Sequence, residues 1–156
     1  MSSILKFHHC AFRCKNSVET REFYQQFLGL ELIKAFEINT TKTNRKTKVL
    51  HTFYQLNDHS CIAFFEDPST PFDFKKQRDF DLHIAMEVTK KTLEVMYDKG
   101  LNLGVETRGI INHGFIDSIY FRDPNGYVIE LSAPKKHKKQ TSADAFDILK
   151  NWDPLL

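Results

Sequence analysis

Apolar and polar residues alternate in short runs along most of the chain, and a stretch with helical spacing separates the first two runs of each half. Residues 6–15 alternate with a period of two. That places Phe7, His9, Ala11 and Arg13 on one face of a strand, with His8, Cys10, Phe12 and Cys14 on the other. Asn16 or Ser17 can cap a helix over residues 18–27. Phe23, Tyr24, Phe27 and Leu28 form its apolar stripe, Glu19 and Glu22 favour its early turns, and Gly29 stops it. Strands follow at 30–38, 49–56 and 60–66, separated by a polar, basic hairpin loop at 39–48 and by Asn57-Asp58-His59. A charged loop with two prolines, residues 67–79, closes the half. The order then recurs, with a strand over 80–88 and a helix that Thr89 caps, Lys99 ends and Gly100 stops. Further strands follow at 101–107, 116–121 and 127–133.

Each half reads β-α-β-β-β. Aligned on their first strands, His9-Cys10-Ala11-Phe12 falls on His83-Ile84-Ala85-Met86; aligned on their last, Ile62-Ala63-Phe64 falls on Ile129-Glu130-Leu131. This ordered duplication predicts an α+β fold of two paired βαβββ modules, about residues 4–67 and 80–134, forming a curved mixed sheet around a cleft. The first 134 residues read as one domain. Residues 135–156 read as a solvated basic linker, Lys135-Lys136-His137-Lys138-Lys139, and a short C-terminal helix over 143–151. Ser142 caps that helix, and Phe146, Leu149 and Trp152 can dock it on the body.

Composition narrows the class. A chain of 156 residues, 41% apolar and with 14 Phe, can bury a substantial core. A formal net charge of +2 argues against a nucleic-acid or membrane partner, and no apolar run is long enough to span a bilayer. The N-terminus carries no secretory signal pattern, so a cytoplasmic location is expected. Cys10, Cys14 and Cys61 are odd in number and lack metal-knuckle spacing, so they read as small buried hydrophobes.

Candidate chemistry concentrates in residues 111–132, INHGFIDSIYFRDPNGYVIELS. Asp123-Pro124-Asn125-Gly126 is a tight turn, with Pro presetting φ and Gly accepting a positive φ. In the strand that follows, Ile129 and Leu131 face one way and Glu130 the other, with Val128 and Ser132. A carboxylate held mid-strand is costly unless it is paired or binds a metal. His9 and His83 occupy equivalent points of the two repeats and can share a concavity with Glu130. Two imidazoles and a carboxylate on one face form the facial triad of non-haem Fe(II) enzymes, and Mn, Zn or Ni also fit. From the residues alone a second account stays open: two core histidines bonded to backbone and a solvent-facing Glu.

The chain resembles the vicinal oxygen chelate superfamily, which includes glyoxalase I, extradiol dioxygenases and fosfomycin-resistance proteins. The resemblance spans roughly residues 4–134. It is carried by His9-Cys10-Ala11-Phe12-Arg13, Phe23-Tyr24 with Leu28-Gly29-Leu30, His83-Ile84-Ala85, and Asp123 to Gly126 leading to Glu130. It implies His9, His83 and Glu130 as metal ligands in a cleft between the modules. Within the superfamily, Ile111-Asn112-His113, Ile119-Tyr120, the Asp123–Gly126 turn and Glu130 fill the extradiol ring-cleavage signature slot by slot. The implied activity is a non-haem Fe(II) extradiol dioxygenase acting on a catechol-type diol with dioxygen as co-substrate. His113 and Tyr120 would contact the bound diol, and His113 or His59 would move protons. Their plainer readings are a loop His, an ordinary strand Tyr and a turn His. Phe residues of the 64–74 and 115–121 stretches would wall the ring, and pairing into a homodimer is expected by analogy. Glyoxalase I usually has a fourth ligand where this chain has Ala63, which counts against that activity. The alternatives are a glyoxalase-type lyase or isomerase, a thiol transferase, or a non-catalytic small-molecule binder.

Overall fold

The computed structural model describes residues 3–74, 76, 78–137 and 139–154; Lys75 and Gln77 of the charged loop and Lys138 of the basic linker lie outside the described residues. The first module comprises β1 (His9–Arg13), α1 (Ser17–Arg21) continuing into a π-helical turn (Glu22–Phe27), β2 (Glu31–Thr40), β3 (Lys46–Gln55) and β4 (Cys61–Glu66). The second comprises β5 (His83–Glu87), α2 (Lys90–Asn102), β6 (Thr107–Asn112), β7 (Ile116–Arg122) and β8 (Val128–Pro134), and α3 (Ser142–Lys150) follows. Among the described residues the strands form two four-stranded sheets, ordered β1-β4-β3-β2 and β5-β8-β7-β6. Both are mixed: the edge pairs β1–β4 and β5–β8 are parallel and the rest antiparallel. The architecture is the α+β pairing of βαβββ modules that the alternation predicts. Cα registers match too. Cys10 lies beside Ile62 and Ala11 beside Ala63, as Ile84 lies beside Ile129 and Ala85 beside Glu130.

One face of each sheet is apolar and carries the helix. Tyr24 packs on Phe64 and Tyr54, with ring centroids 4.7 and 5.6 Å away. Leu93 and Met96 of α2 join Ile119, Phe121, Ile129 and Leu131 in the same core. Each such side chain contributes about 2 kcal/mol when fully buried. The Asp123–Gly126 turn joins the modules as well as two strands. Asp123 accepts from Tyr24 Oη at 3.1 Å, Asn125 Oδ1 accepts from Lys15 N at 2.8 Å, and Tyr127 Oη donates to the Arg13 carbonyl at 2.9 Å. Burial raises the Asp123 carboxyl above its ordinary value, against the pull of the N–H and O–H groups around it. Burial likewise pushes Tyr127 up to about 12.

Several boundaries differ from the sequence expectation. The basic loop at 39–48 shrinks to a turn, because β2 and β3 extend until Thr40 pairs with Lys46. Gly100 does not stop α2. A Cβ there would stand 2.4 Å from Thr107 Oγ1 and 2.6 Å from Phe121 Cε1, so glycine lets the helix lie close on the sheet. The helix runs on to Asn102 and Gly104, at φ +70°, turns the chain. Residues 101–106 are therefore helix end, turn and connection, and the strand expected at 101–107 is β6, five to six residues later. Thr141, not Ser142, caps α3, exchanging hydrogen bonds with Asp144 in a capping box. Phe146, Leu149 and Trp152 stay exposed instead of docking on the body. No helix of the described residues is long and apolar enough to cross a membrane. The cysteines are free, with Cys14 and Cys61 buried.

Candidate metal centre

Ile129 and Leu131 are drawn into the core beneath α2, so strand alternation turns Glu130 to the open face, away from the helix. The residue is only 5% exposed. Its Oε1 accepts from Ser118 Oγ on β7 at 2.6 Å and from Ser132 Oγ at 2.8 Å. Its Oε2 lies 3.3 Å from His83 Nε2. His83 opens β5, and its Nδ1 is 2.7 Å from the Asp79 carbonyl, an acceptor that requires a hydrogen on that nitrogen. When that ring is neutral, Nε2 presents a lone pair to a carboxylate oxygen. Two acceptors at this separation are satisfied by a cation between them. Two donors at right angles, each about 2.1 Å from one ion, stand about 3 Å apart. The pair therefore fits a divalent ion, and the two serines and the Asp79 carbonyl orient the ligands from behind.

A second pair adjoins it. Tyr120 is directly opposite Glu130 in the β7–β8 register. Its hydroxyl lies 2.9 Å from His113 Nε2. Burial, then the Glu130 carboxylate, raises Tyr120 above the ordinary phenol value, so it keeps its proton at neutral pH. The Arg108 guanidinium lies 4.7 Å over the Tyr120 ring and pairs with Asp79, whose carbonyl holds His83. His113 sits where the chain reverses between β6 and β7; its N–H donates to the Ile116 carbonyl, and Asn112 Oδ1 accepts from Gly114 N.

The structure thus brings His83, Glu130, Tyr120 and His113 together. It does not bring His9 or His59 to them. His9 opens β1 on the other sheet, exposed, its Nδ1 2.7 Å from His8 Nδ1 and its ring 5.5 Å from Phe53. Among the described residues, no three His, Cys, Asp or Glu side chains converge on one point. His59 occupies the β3–β4 turn with φ 66°, a turn position. The sequence reading did not identify Ser118, Asp79 or Arg108 as site residues. Ser118 could have been found by counting alternate positions along residues 116–121 back from Tyr120. Asp79 and Arg108 lie in segments whose boundaries were not legible.

A family model described as the Glyoxalase/Bleomycin resistance protein/Dioxygenase superfamily matches residues 6–131. No curated protein matches the chain in sequence. Among solved structures, a variant of the fosfomycin resistance protein FosX from Listeria monocytogenes, complexed with Mn(II) and 1S,2S-dihydroxypropylphosphonic acid, is similar at 24% identity and TM-score 0.62. The match covers 86% of this chain and 95% of that one. A glyoxalase/dioxygenase from Nostoc punctiforme matches at 19% identity and TM-score 0.63, over 87% of this chain and 99% of that one. A glyoxylase/bleomycin resistance protein/dioxygenase domain from Frankia sp. EAN1pec matches at 16% identity and TM-score 0.67, over 85% and 100%. At these identities the likeness is one of fold.

Proposed function

The chain belongs to the Glyoxalase/Bleomycin resistance protein/Dioxygenase superfamily, and on that premise we propose that it is a metal-dependent enzyme acting on a small molecule with vicinal oxygens, in the first place a catechol-type diol opened by extradiol ring cleavage with dioxygen. The observation that carries the reading is the His83–Glu130 pair at 3.3 Å, braced by two serine hydroxyls and a carbonyl, with Tyr120 and His113 beside it.

His83 and Glu130 would hold the ion, Fe(II) by preference, with Mn(II), Zn(II) or Ni(II) served by the same donors. When bound, the ion would orient vicinal oxygens and favour their deprotonated form. Tyr120 donates a hydrogen bond to a substrate oxygen, and His113 accepts or returns a proton at Nε2. His9 completes the ligand set from a second copy of the chain. β1 and β5 are both edge strands, and His9 and His83 are their first residues on the open faces. Laying β1 of one copy along β5 of another brings the two imidazoles side by side. Homodimerisation is therefore part of this proposal.

A second reading keeps the metal and omits dioxygen, as in a glyoxalase-type isomerase or a transferase on a vicinal-oxygen substrate. FosX in complex with Mn(II) and a dihydroxypropylphosphonic acid favours it. Ala63 offers no fourth ligand and weighs against the glyoxalase form. The test is oxygen uptake by protein purified without air, loaded with Fe(II) or Mn(II) and given a panel of catechols. His83→Ala should lose both metal retention and uptake; uptake that survives the change refutes the assignment. Metal retention without uptake on any catechol shifts the choice to the second reading.

A further inference from the structure

The open face of the first sheet carries a different set of side chains at the same positions. Ala63 matches Glu130, each lying between the alanine of the parallel edge strand and the aromatic residue of the next strand, Phe53 or Tyr120. His51 and Phe65 pair as Ser118 and Ser132 do. His51 is 5% exposed and fixed on several sides. Phe65 stacks on its ring at 3.7 Å and 15°, Phe53 tilts against it at 4.3 Å, and Phe36 meets it edge-on at 5.3 Å. Its Nδ1 is 2.9 Å from the Phe64 carbonyl, so that nitrogen carries the hydrogen. Nε2 is left as an acceptor and makes no hydrogen bond among the described residues. Nε2 is not among the buried atoms left without a partner, so this rigidly held acceptor is open to a donor from outside the chain. The groups whose charge bears on His51 are His9 and Lys34, neither of them acidic. The Lys34 ammonium sits 5.3 Å over the Phe36 ring.

We propose that this face is a selective wall for a planar aromatic ligand with an anionic group: the ring lies on Phe36 and Phe53, the anion meets Lys34, and a ring hydroxyl donates to His51 Nε2. Aromatic rings favour offset or edge contact with a flat ligand. An ammonium beside a ring favours a carboxylate or phenolate over a neutral group. A clamped imidazole with one acceptor left selects for a donor at one place on the ring. The inference rests on the reading above for the meeting of this face with His83 and Glu130 across two copies. Ring binding itself requires no ion, so the two can fail separately.

The experiment is calorimetric titration of the full chain, after chelator treatment, with 3-hydroxybenzoate, benzoate and cyclohexanecarboxylate. The wild type should bind 3-hydroxybenzoate about tenfold more tightly than benzoate, the yield of one good hydrogen bond. Benzoate should bind more tightly than cyclohexanecarboxylate. His51→Phe should abolish the hydroxyl preference and leave benzoate within about twofold. Lys34→Gln, at an exposed position where folding is not at stake, should weaken both benzoates several-fold and keep the hydroxyl preference. In the wild type, 3-hydroxybenzoate should also shift the His51 Nε2 nitrogen resonance, a readout independent of any variant. Equal binding of the three ligands, a hydroxyl preference that survives His51→Phe, or an unmoved resonance overturns the inference. Ring selection by a protein that takes up no metal refutes only the metal reading; metal uptake without ring selection refutes only this one.

Discussion

The two modules share strand order, edge-strand parallelism and register, yet their open faces carry different side chains. In the second, Glu130 is supported by Ser118 and Ser132 and faces His83. In the first, the matching places hold Ala63, His51 and Phe65, and His9 faces Phe53. The difference shows what a buried carboxylate requires. Glu130 lies in the sheet because two serine hydroxyls donate to one of its oxygens, leaving the other facing His83. Where those donors are replaced by rings, the scaffold carries a methyl group instead. Duplication kept the backbone constant and let one copy hold ionisable chemistry while the other built an aromatic wall.

That contrast can be tested directly, and the largest effect is expected at the carboxylate. Glu130→Gln keeps the shape and removes the charge, and should weaken Mn(II) or Fe(II) binding more than about 100-fold, since even residues behind the ligands are worth 10–100-fold. Metal titration of the purified variant measures it, and unchanged uptake would remove Glu130 from the ligand set. The reciprocal change, Ala63→Glu, places a carboxylate at the corresponding point without the serine donors. It should destabilise the protein by about 3 kcal/mol, read by urea unfolding, and gain no metal. A stable, metal-binding Ala63→Glu protein would show that the edge histidine suffices and the hydroxyls do not matter. Ser118→Ala removes the donor at 2.6 Å from Glu130 and should cost about tenfold in metal affinity with little loss of fold.

The smallest effect is a pH dependence of stability. Burial among aromatic rings lowers the His51 value below that of a free imidazole, with the hydrogen bond to Phe64 opposing and the charges of His9 and Lys34 adding to the shift. As pH falls, the unfolded chain takes up this proton first. The contribution of His51 to stability is therefore complete above the unfolded value of about 6.5 and is lost as pH drops through the lower folded value. Melting curves at pH 7.5 and 5.5 should differ less in His51→Phe than in the wild type. An equal difference in both would assign the pH dependence to other groups.

Alternation along 6–15, 60–66 and 127–133 was legible because those strands have one face against a helix and the other open. Of the four residues gathered in the second module, His83 and Glu130 were legible from their places in alternating strands, whereas His113 and Tyr120 were marked only by the family resemblance. Boundaries failed where tertiary contact overrode the local signal. Gly100 reads as a helix stop, but its place is set by Phe121 and Thr107, residues the helix meets only after the sheet exists. His51 drew no notice because a lone histidine in a strand has no local mark; its meaning comes from Phe36, Phe53 and Phe65 on three different strands.

By itself the sequence determined the duplication, the α+β class and the side of each strand that bears Glu130, His83 and His9, because period-two patterning and turn chemistry act between near neighbours. Only the tertiary structure decided which of these side chains meet. It joined His83 to Glu130 through a parallel strand pair 45 residues apart in the register of Ala85 with Glu130 and left His9 on a separate sheet edge. Contacts between strands distant in the chain depend on which strands pair into which sheet, and no local pattern encodes that.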